Sequence, residues 1–314
     1  TATPNLATSG DPTPGARGIF AGGDVGTPHT PSGQSNVIDY VNISSTGNAV
    51  DFGDLTARRA FAGANSSSTR ALIGGGYEAP ASNSNIDFIT ISSTGNASNF
   101  GNLQTEQHSR GCLSNATRGL WGGGTVNNEI DYVTIASEGN AQDFGNLIAY
   151  RDISGLSSPT RGVFAGGFDP TFTNVINFVT ISTLGDAQSF GELSRSTYGV
   201  GAASNSTRGI FAGGRNSPTG NGVNTIEYIT IATTGNSVNF GDLTDNAYRL
   251  AATSSPTRAV IYLATGAPSA FQVDYITFAT QGNSVDFGNL NDTDGSGRRD
   301  QTCDSGTSNA HGGL

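Results

Sequence analysis

The sequence contains no lysine and no methionine, and all 15 of its basic residues are arginine. Its 25 acidic residues outnumber them, which gives a formal net charge of −10 over 314 residues. A nucleic-acid-binding protein needs a basic surface that neutralises phosphates. The charge balance therefore excludes nucleic acid as an expected partner.

Long apolar runs and helical patterns are missing as well. No apolar run is long enough to cross a bilayer as a helix, so no membrane insertion is expected. Glutamate is scarce, and apolar residues do not recur at helical spacing. Short segments rich in β-forming residues alternate with Gly, Asn, Ser and Thr, which predicts an all-β chain.

What the sequence does contain is one segment written six times. Each copy carries an aromatic residue and a phenylalanine at a constant separation, followed by Gly and Leu. A spacing that never changes is typical of a rigid β-hairpin, because one inserted residue would turn the side chains to the other face. Each copy also holds Gly-Asn or Gly-Asp, which predicts the tight turn of the hairpin. The copies begin at Ile38, Ile86, Ile130, Ile176, Ile226 and Val273.

A second repeated string precedes each hairpin. It reads Arg-Gly-Ile-Phe-Ala-Gly-Gly from Arg17, and the last copy, from Arg258, has lost its diglycine. From the second copy onward, a segment of small residues lies before the string. We therefore predict a unit of four strands, with apolar groups on both faces of the third strand. That distribution favours a sheet packed between two neighbouring sheets.

A strand ending in diglycine, a loop, an aromatic strand and a strand ending in an aromatic and Leu resemble the kelch repeat of β-propellers. The wording TRGxFAGG…IDYxTISxxGNAxxFGxL is more similar still to repeats in virion structural proteins of tailed phages, particularly those that infect marine cyanobacteria. The resemblance covers about residues 17–290. It implies an all-β, six-bladed β-propeller of four-stranded kelch-like blades, with seven blades as the alternative.

The repeats also predict how the chain is divided. Residues 1–16 are expected to form an extended N-terminal arm, residues 17–297 the propeller repeats, and residues 298–314 the closing strand or strands. In this interpretation Arg298 to Ser305 returns beside the first blade, followed by a degenerate diglycine strand. The alternative is that Asn5 to Ser9 supplies the inner strand of the first blade. The C-terminal strands would then be free to pair with a partner chain.

Two sets of repeated polar residues could form a ring of ligand-binding groups. A structural hydrogen bond repeated in each blade explains them better, because a binding site usually breaks the symmetry of its repeats. The arginines are Arg17, Arg70, Arg118, Arg161, Arg208 and Arg258. The acidic or amide residues are Asp39, Asp87, Asp131, Asn177, Glu227 and Asp274.

The segment with Asp292, Asp294, Ser296 and Asp300 resembles the start of a calcium-binding loop. Cys303 stands where such a loop has its bidentate Glu, and a solvated turn would use the same residue types. The two cysteines, Cys303 and Cys112, lie at comparable places in different repeats, so we predict free thiols.

No arrangement of histidines has the spacing of a zinc site, and no Ser–His–Asp pattern is evident. We therefore expect no enzyme and no cofactor, with calcium as the one candidate.

The loops between the diglycine strand and the hairpin vary in length and content, whereas the framework is constant. Binding residues often lie on loops held by a rigid scaffold, although neutral drift explains the variation equally well. Tyr77, Phe168, Phe172 and Phe271 are the candidate stacking residues on these loops.

Two functions remain open at this point. The resemblance implies a non-enzymatic virion structural protein, part of a tail, fibre or capsid decoration, that contacts other virion or surface proteins or a host receptor. The alternative is a secreted or cell-surface carbohydrate-binding propeller, with a host glycan as partner. A virion or extracellular location is expected in either case.

Overall fold

A computed structural model of the chain describes residues 16–24, 33–148, 152–168, 170–264, 272–290 and 306–314. Six four-stranded antiparallel sheets form the blades of a ring, and no α-helix occurs in these segments. The predicted six-bladed β-propeller is confirmed, and the alternative of seven blades is wrong. None of the described segments forms a helix long and apolar enough to span a membrane.

The strand bounds follow the repeats of the sequence. In chain order the strands are β1 (Arg17–Ala21), β2 (Val37–Asn42), β3 (Val50–Asp54), β4 (Gly63–Ser66), β5 (Arg70–Gly74), β6 (Tyr77–Glu78), β7 (Ala81–Ser82), β8 (Asn85–Thr90), β9 (Ser98–Asn102), β10 (Gly111–Ser114), β11 (Arg118–Gly122), β12 (Glu129–Thr134), β13 (Gln142–Asn146), β14 (Ser154–Ser157), β15 (Arg161–Ala165), β16 (Val175–Thr180), β17 (Gln188–Glu192), β18 (Thr197–Tyr198), β19 (Gly201–Ser204), β20 (Arg208–Ala212), β21 (Arg215–Asn216), β22 (Val223–Thr230), β23 (Val238–Ala247), β24 (Ala251–Ser254), β25 (Arg258–Tyr262), β26 (Gln272–Thr277), β27 (Val285–Asn289) and β28 (Gly306–Ser308).

Each blade has an inner strand on the central axis and an outer strand on the rim. From the inside outward, the blades are β28-β1-β2-β3, β4-β5-β8-β9, β10-β11-β12-β13, β14-β15-β16-β17, β19-β20-β22-β23 and β24-β25-β26-β27. Two small sheets, β6-β7 and β18-β21, lie on the connecting loops.

The apolar core lies between the blades, because both faces of each sheet carry apolar side chains. In β2, Ile38 and Tyr40 pack against the second blade, whereas Val41 packs against the sixth. The pattern is the one that alternation along the third strand predicts. Within each hairpin, the two repeated aromatic rings meet edge to face, as Tyr40 and Phe52 do with centroids 6.0 Å apart.

The repeated Gly-Asn pair does not form the hairpin turn, so this prediction is wrong. The turn lies earlier, where the amide of Ser45 donates to Asn42 O at 3.2 Å. Gly47 then runs alongside the outer strand of the neighbouring blade, and its amide donates to Phe287 O at 2.8 Å. Asn48 Oδ1 accepts a hydrogen bond from the amide of Asn289 at 3.1 Å. The pair therefore joins blades rather than strands.

The first blade is completed by a strand from the far end of the sequence. Gly306–Ser308 pairs with β1 in antiparallel register, with Gly18 opposite Ser308. The inner position is thus occupied by β28, whereas Arg298 to Ser305 and Asn5 to Ser9 lie outside the described residues. The expected degenerate diglycine strand is not formed, because residues 309–313 make turns and bends over the central channel.

Candidate functional site

The two ends of the ring differ in kind because of the direction of the strands. Every inner strand ends at the face that carries the hairpin turns, which we call the hairpin end. The variable loops and the connections between blades emerge at the opposite face, the loop end. The hairpin end repeats almost without change, whereas the loop end differs from blade to blade.

A closed ring of serines lies at the hairpin end of the channel. The last residue of each inner strand is serine, and each hydroxyl donates to the carbonyl oxygen of the serine in the preceding blade. Five of these hydrogen bonds measure 2.6 to 2.9 Å, and the sixth joins Ser308 Oγ to Ser254 O. The members are Ser308, Ser66, Ser114, Ser157, Ser204 and Ser254. This ring stabilises closure of the propeller.

The tail after β28 covers the same end of the channel. His311 Nε2 lies 3.0 Å from Ser66 O, and its Nδ1 accepts a hydrogen bond from the amide of Gly313 at 3.0 Å. Because Nδ1 is an acceptor, Nε2 carries the proton and donates. Burial lowers the pKa of the His311 imidazole to about 4, against the opposing hydrogen bond to Ser66 O. The His311 imidazole is therefore neutral near pH 7.

The six repeated arginines have a structural role. Each guanidinium stacks on the aromatic ring of its own hairpin, at 4.4 to 4.9 Å from the centroid. Each also donates to a main-chain carbonyl of the next blade, as Arg118 does to Ile181 O at 2.8 Å. This hydrogen bond from arginine to a main-chain carbonyl recurs in every blade, as the repetition of the arginines in the sequence indicates. It links the blades around the whole ring.

Two of the repeated acidic residues of the third strand bind other arginines, whereas Asp274 accepts hydrogen bonds from Thr244 and Glu227 accepts one from the amide of Ser194. Asp87 pairs with Arg59 at 3.0 Å, and Asp131 pairs with Arg110 at 2.6 Å; all four side chains are buried. Burial lowers the pKa of the Arg59 guanidinium, although the charge of Asp87 opposes this shift. Both pairs anchor the connection that enters the next inner strand.

Small side chains line the middle of the channel. Ala64, Cys112, Gly155, Ala202 and Gly306 border a cavity of about 60 Å³, which leaves room for water. Cys112 is a free thiol, and burial raises its pKa to about 12 despite the nearby charge of Arg110. A thiol held in this protonated state is a poor nucleophile. Cys303 lies outside the described residues.

The mouth of the channel at the loop end is built from backbone in an unusual conformation. Phe61, Ser109, Asp152 and Arg249 have φ angles of +48° to +57°, and Gly199 occupies the equivalent place in the fifth blade with φ +64°. A left-handed conformation costs a residue with a side chain about 1–2 kcal/mol. Such residues concentrate at ligand-binding and catalytic sites.

Hydrogen bonds between neighbouring connections hold this mouth in place. The amide of Ser109 donates to Phe61 O at 3.0 Å, and the amide of Arg249 donates to Gly199 O at 2.7 Å. The backbone positions from which these side chains extend are therefore fixed around a cavity of about 50 Å³. No sequence signal identified these residues, except that one copy has glycine at the shared position.

Two clusters of aromatic residues flank the mouth. In the first, Tyr77 packs edge to face on His108 at 5.5 Å, and His108 lies against Phe61. Ser82 Oγ and His108 Nδ1 are 2.9 Å apart, which fixes the imidazole. The predicted stacking residue Tyr77 is thus half-buried at the loop end.

The second cluster contains two further predicted residues. Phe172 packs edge to face on Phe168 at 5.9 Å and on Tyr198 at 4.8 Å. Arg215 donates to the Tyr198 hydroxyl at 2.8 Å, and its guanidinium also lies over Tyr248 at 5.5 Å. The structure brings Phe168 and Phe172 together but separates them from Tyr77.

The remaining predicted site residues, Phe271 and the calcium loop of Asp292, Asp294, Ser296 and Asp300, lie outside the described residues. Within the described segments, no group of three or more His, Cys, Asp or Glu residues could hold a metal ion.

No protein-family model matches the sequence, and no curated protein matches it significantly. The molecule is a β-propeller built from repeats, an architecture commonly used as an interaction platform.

Proposed function

We propose that this chain is a non-enzymatic virion structural protein that uses its loop end to bind a partner. The observation that carries the proposal is the asymmetry between the two ends. At the hairpin end, the repeated serines and arginines form hydrogen bonds that join the blades. The loop end differs in every blade and presents half-buried aromatic rings beside a channel mouth with left-handed backbone.

The virion assignment is supported by the wording of the repeats, which resembles phage virion proteins. The architecture is compatible with that role, since a ring closed by hydrogen bonds between all six blades is a rigid scaffold for loops. The expected partners are other virion proteins, or a receptor on the host surface. Mass spectrometry of purified virions tests this part, and absence of the chain from virions would contradict it.

The binding role is tested on the isolated propeller. We expect Phe172→Ala and Tyr77→Ala to weaken retention on host cells or envelope fractions, because both rings lie on the loop end. Leu184→Ala serves as the matched control, since this apolar side chain is exposed on the hairpin end. Equal effects of all three substitutions would contradict binding through the loop end.

A secreted or cell-surface carbohydrate-binding propeller is the second candidate. The cluster of Phe168, Phe172 and Tyr198 favours it, because aromatic rings with a polar group at one end suit sugar faces and hydroxyls. Binding of the purified propeller to a glycan array, together with absence from virions, would favour this candidate over the first.

A further inference from the structure

The channel mouth at the loop end contains a cation, Arg249, that forms no ion pair with any described residue. Arg249 extends over Phe61, with its guanidinium carbon 4.8 Å from the ring centroid. Arg249 Nε is buried and donates to no acceptor among the described residues. Arg59 Nε and Arg110 Nε share this property, so what distinguishes Arg249 is that its guanidinium has no carboxylate partner among the described residues.

An acidic side chain borders the same cavity. Asp152 and Arg249 both line the mouth, together with Ser109 and the glycine at position 199. No ion pair joins Asp152 and Arg249 among the described residues. The site therefore offers a cation and an anion to a ligand at the same time.

The arrangement selects a particular chemistry. The two terminal nitrogens of a guanidinium form a fork that matches the two oxygens of a carboxylate. Stacking on Phe61 fixes the plane of that fork. Asp152 accepts hydrogen bonds, so it suits ligand hydroxyls, and Ser109 can donate or accept. The cavity of about 50 Å³ holds a carboxyl group, while the rest of a ligand would lie outside against the loops.

We propose that this mouth binds a sugar acid, with the ligand carboxylate on Arg249 and a ligand hydroxyl on Asp152. The inference rests on the proposed binding role of the loop end and names the class of ligand that it recognises. Neutral sugars lack the group that Arg249 requires, and simple carboxylates lack the hydroxyls that Asp152 requires.

Titration calorimetry of the full chain with glucuronate, glucose and acetate tests the proposal. We expect glucuronate to bind about tenfold or more tightly than either glucose or acetate. Arg249→Gln should weaken glucuronate binding by about tenfold or more, and Arg249→Lys should restore only part of it, because lysine lacks the fork. Asp152→Asn should weaken glucuronate binding but leave acetate binding unchanged.

Arg58→Gln is the matched control, since Arg58 is an exposed arginine on a connection between blades. Melting temperatures of all variants identify any that are misfolded, and Arg249→Lys serves in place of a misfolded Arg249→Gln. Equal affinity for glucuronate and glucose, or an unchanged affinity in Arg249→Gln, would overturn the proposal. Retention on host cells that depends on Phe172 but not on Arg249 would overturn this inference and leave the proposed function intact.

Discussion

Removal of residues 306–314 should destabilise the whole propeller, because this segment supplies the inner strand of the first blade. The deletion takes away the ladder between β28 and β1 and opens the serine ring at Ser308. It also removes the cover that His311 forms over the channel. The inner edge of β1 would then be exposed as a template for pairing with other chains.

The size of the effect follows from the hydrogen bonds that are lost. Besides the backbone ladder, the segment accepts from Ser66 Oγ at 2.6 Å, from Thr253 Oγ1 at 2.8 Å and from the amide of Arg17 at 2.8 Å. Ser308 and His311 each donate one more. At about 1 kcal/mol net for each bond, the loss is about 5 kcal/mol before the ladder is included. Total stability is only about 5–15 kcal/mol for a typical domain.

Light scattering and thermal denaturation measure the outcome. We expect aggregation, or a melting temperature lower by about 10–20 °C. A shorter deletion of residues 309–314 is the control, because it keeps β28 and should have a smaller effect. A synthetic peptide of residues 306–314 should restore stability when added to the truncated chain. A soluble monomer with an unchanged melting temperature would refute the view that β28 closes the ring.

Three further predictions concern single residues. Ser157→Ala leaves Ser114 O without its donor and should lower the free energy of unfolding, measured by thermal denaturation, by about 1–3 kcal/mol. The control, Ser93→Ala in an exposed turn, should lower it by less than about 0.5 kcal/mol. Equal losses in the two variants would contradict a role for the serine ring. Gly53→Ala should cost about 2–4 kcal/mol in urea denaturation, because φ is +146° and the new Cβ would lie 2.5 Å from a carbonyl oxygen of the next blade; an unchanged midpoint would show that the blades do not touch there. The pKa of His311 is about 4 in the folded protein and about 6.5 in the unfolded chain, so the unfolded chain binds the proton first as the pH falls. The contribution of His311 to stability is therefore full above pH 6.5, and the free energy of unfolding falls by about 2–3 kcal/mol between pH 6.5 and pH 4. His311→Gln should lose this part of the pH dependence, and identical pH profiles for the two proteins would contradict it.

The fold was predictable because its signals are local and repeated. The constant separation of Tyr40 and Phe52 fixes one hairpin, and the same spacing in every copy fixes the number of blades. Alternation in β2 indicates two buried faces, which only a sheet between two neighbours provides. Propensity, alternation and repetition all point to the same architecture, which is why sequence reasoning succeeds here.

The turn at Gly47 was misassigned because its partner is not local. Gly-Asn is a common hairpin turn, and the nearby residues give no reason to choose otherwise. The structure places this pair against Phe287 and Asn289, which are far away in the sequence. Only the closed ring brings those strands together, so a reading of neighbouring residues could not find the contact.

The candidate site was the least predictable part. Tyr77, Phe168 and Phe172 stood out because they are aromatic residues on variable loops, and the structure places them at the loop end. Arg249 and Asp152 carried no such signal, because their importance depends on left-handed backbone and on a mouth formed by several blades. The sequence shows which residue types are present. That residues from several blades come together at the channel axis follows only from the assembled ring.

The origin of the inner strand of the first blade has a consequence for the order of folding. The other five blades are each made of contiguous chain, so they can form as synthesis proceeds, whereas β1, β2 and β3 must wait for β28. Residue 308 follows the end of β3 by roughly 250 residues. At ribosomal rates the delay is roughly 10–50 s. During that interval the first blade is a three-stranded sheet with an open inner edge. Several ribosomes that translate the same messenger RNA therefore hold nascent chains with such open edges close to one another.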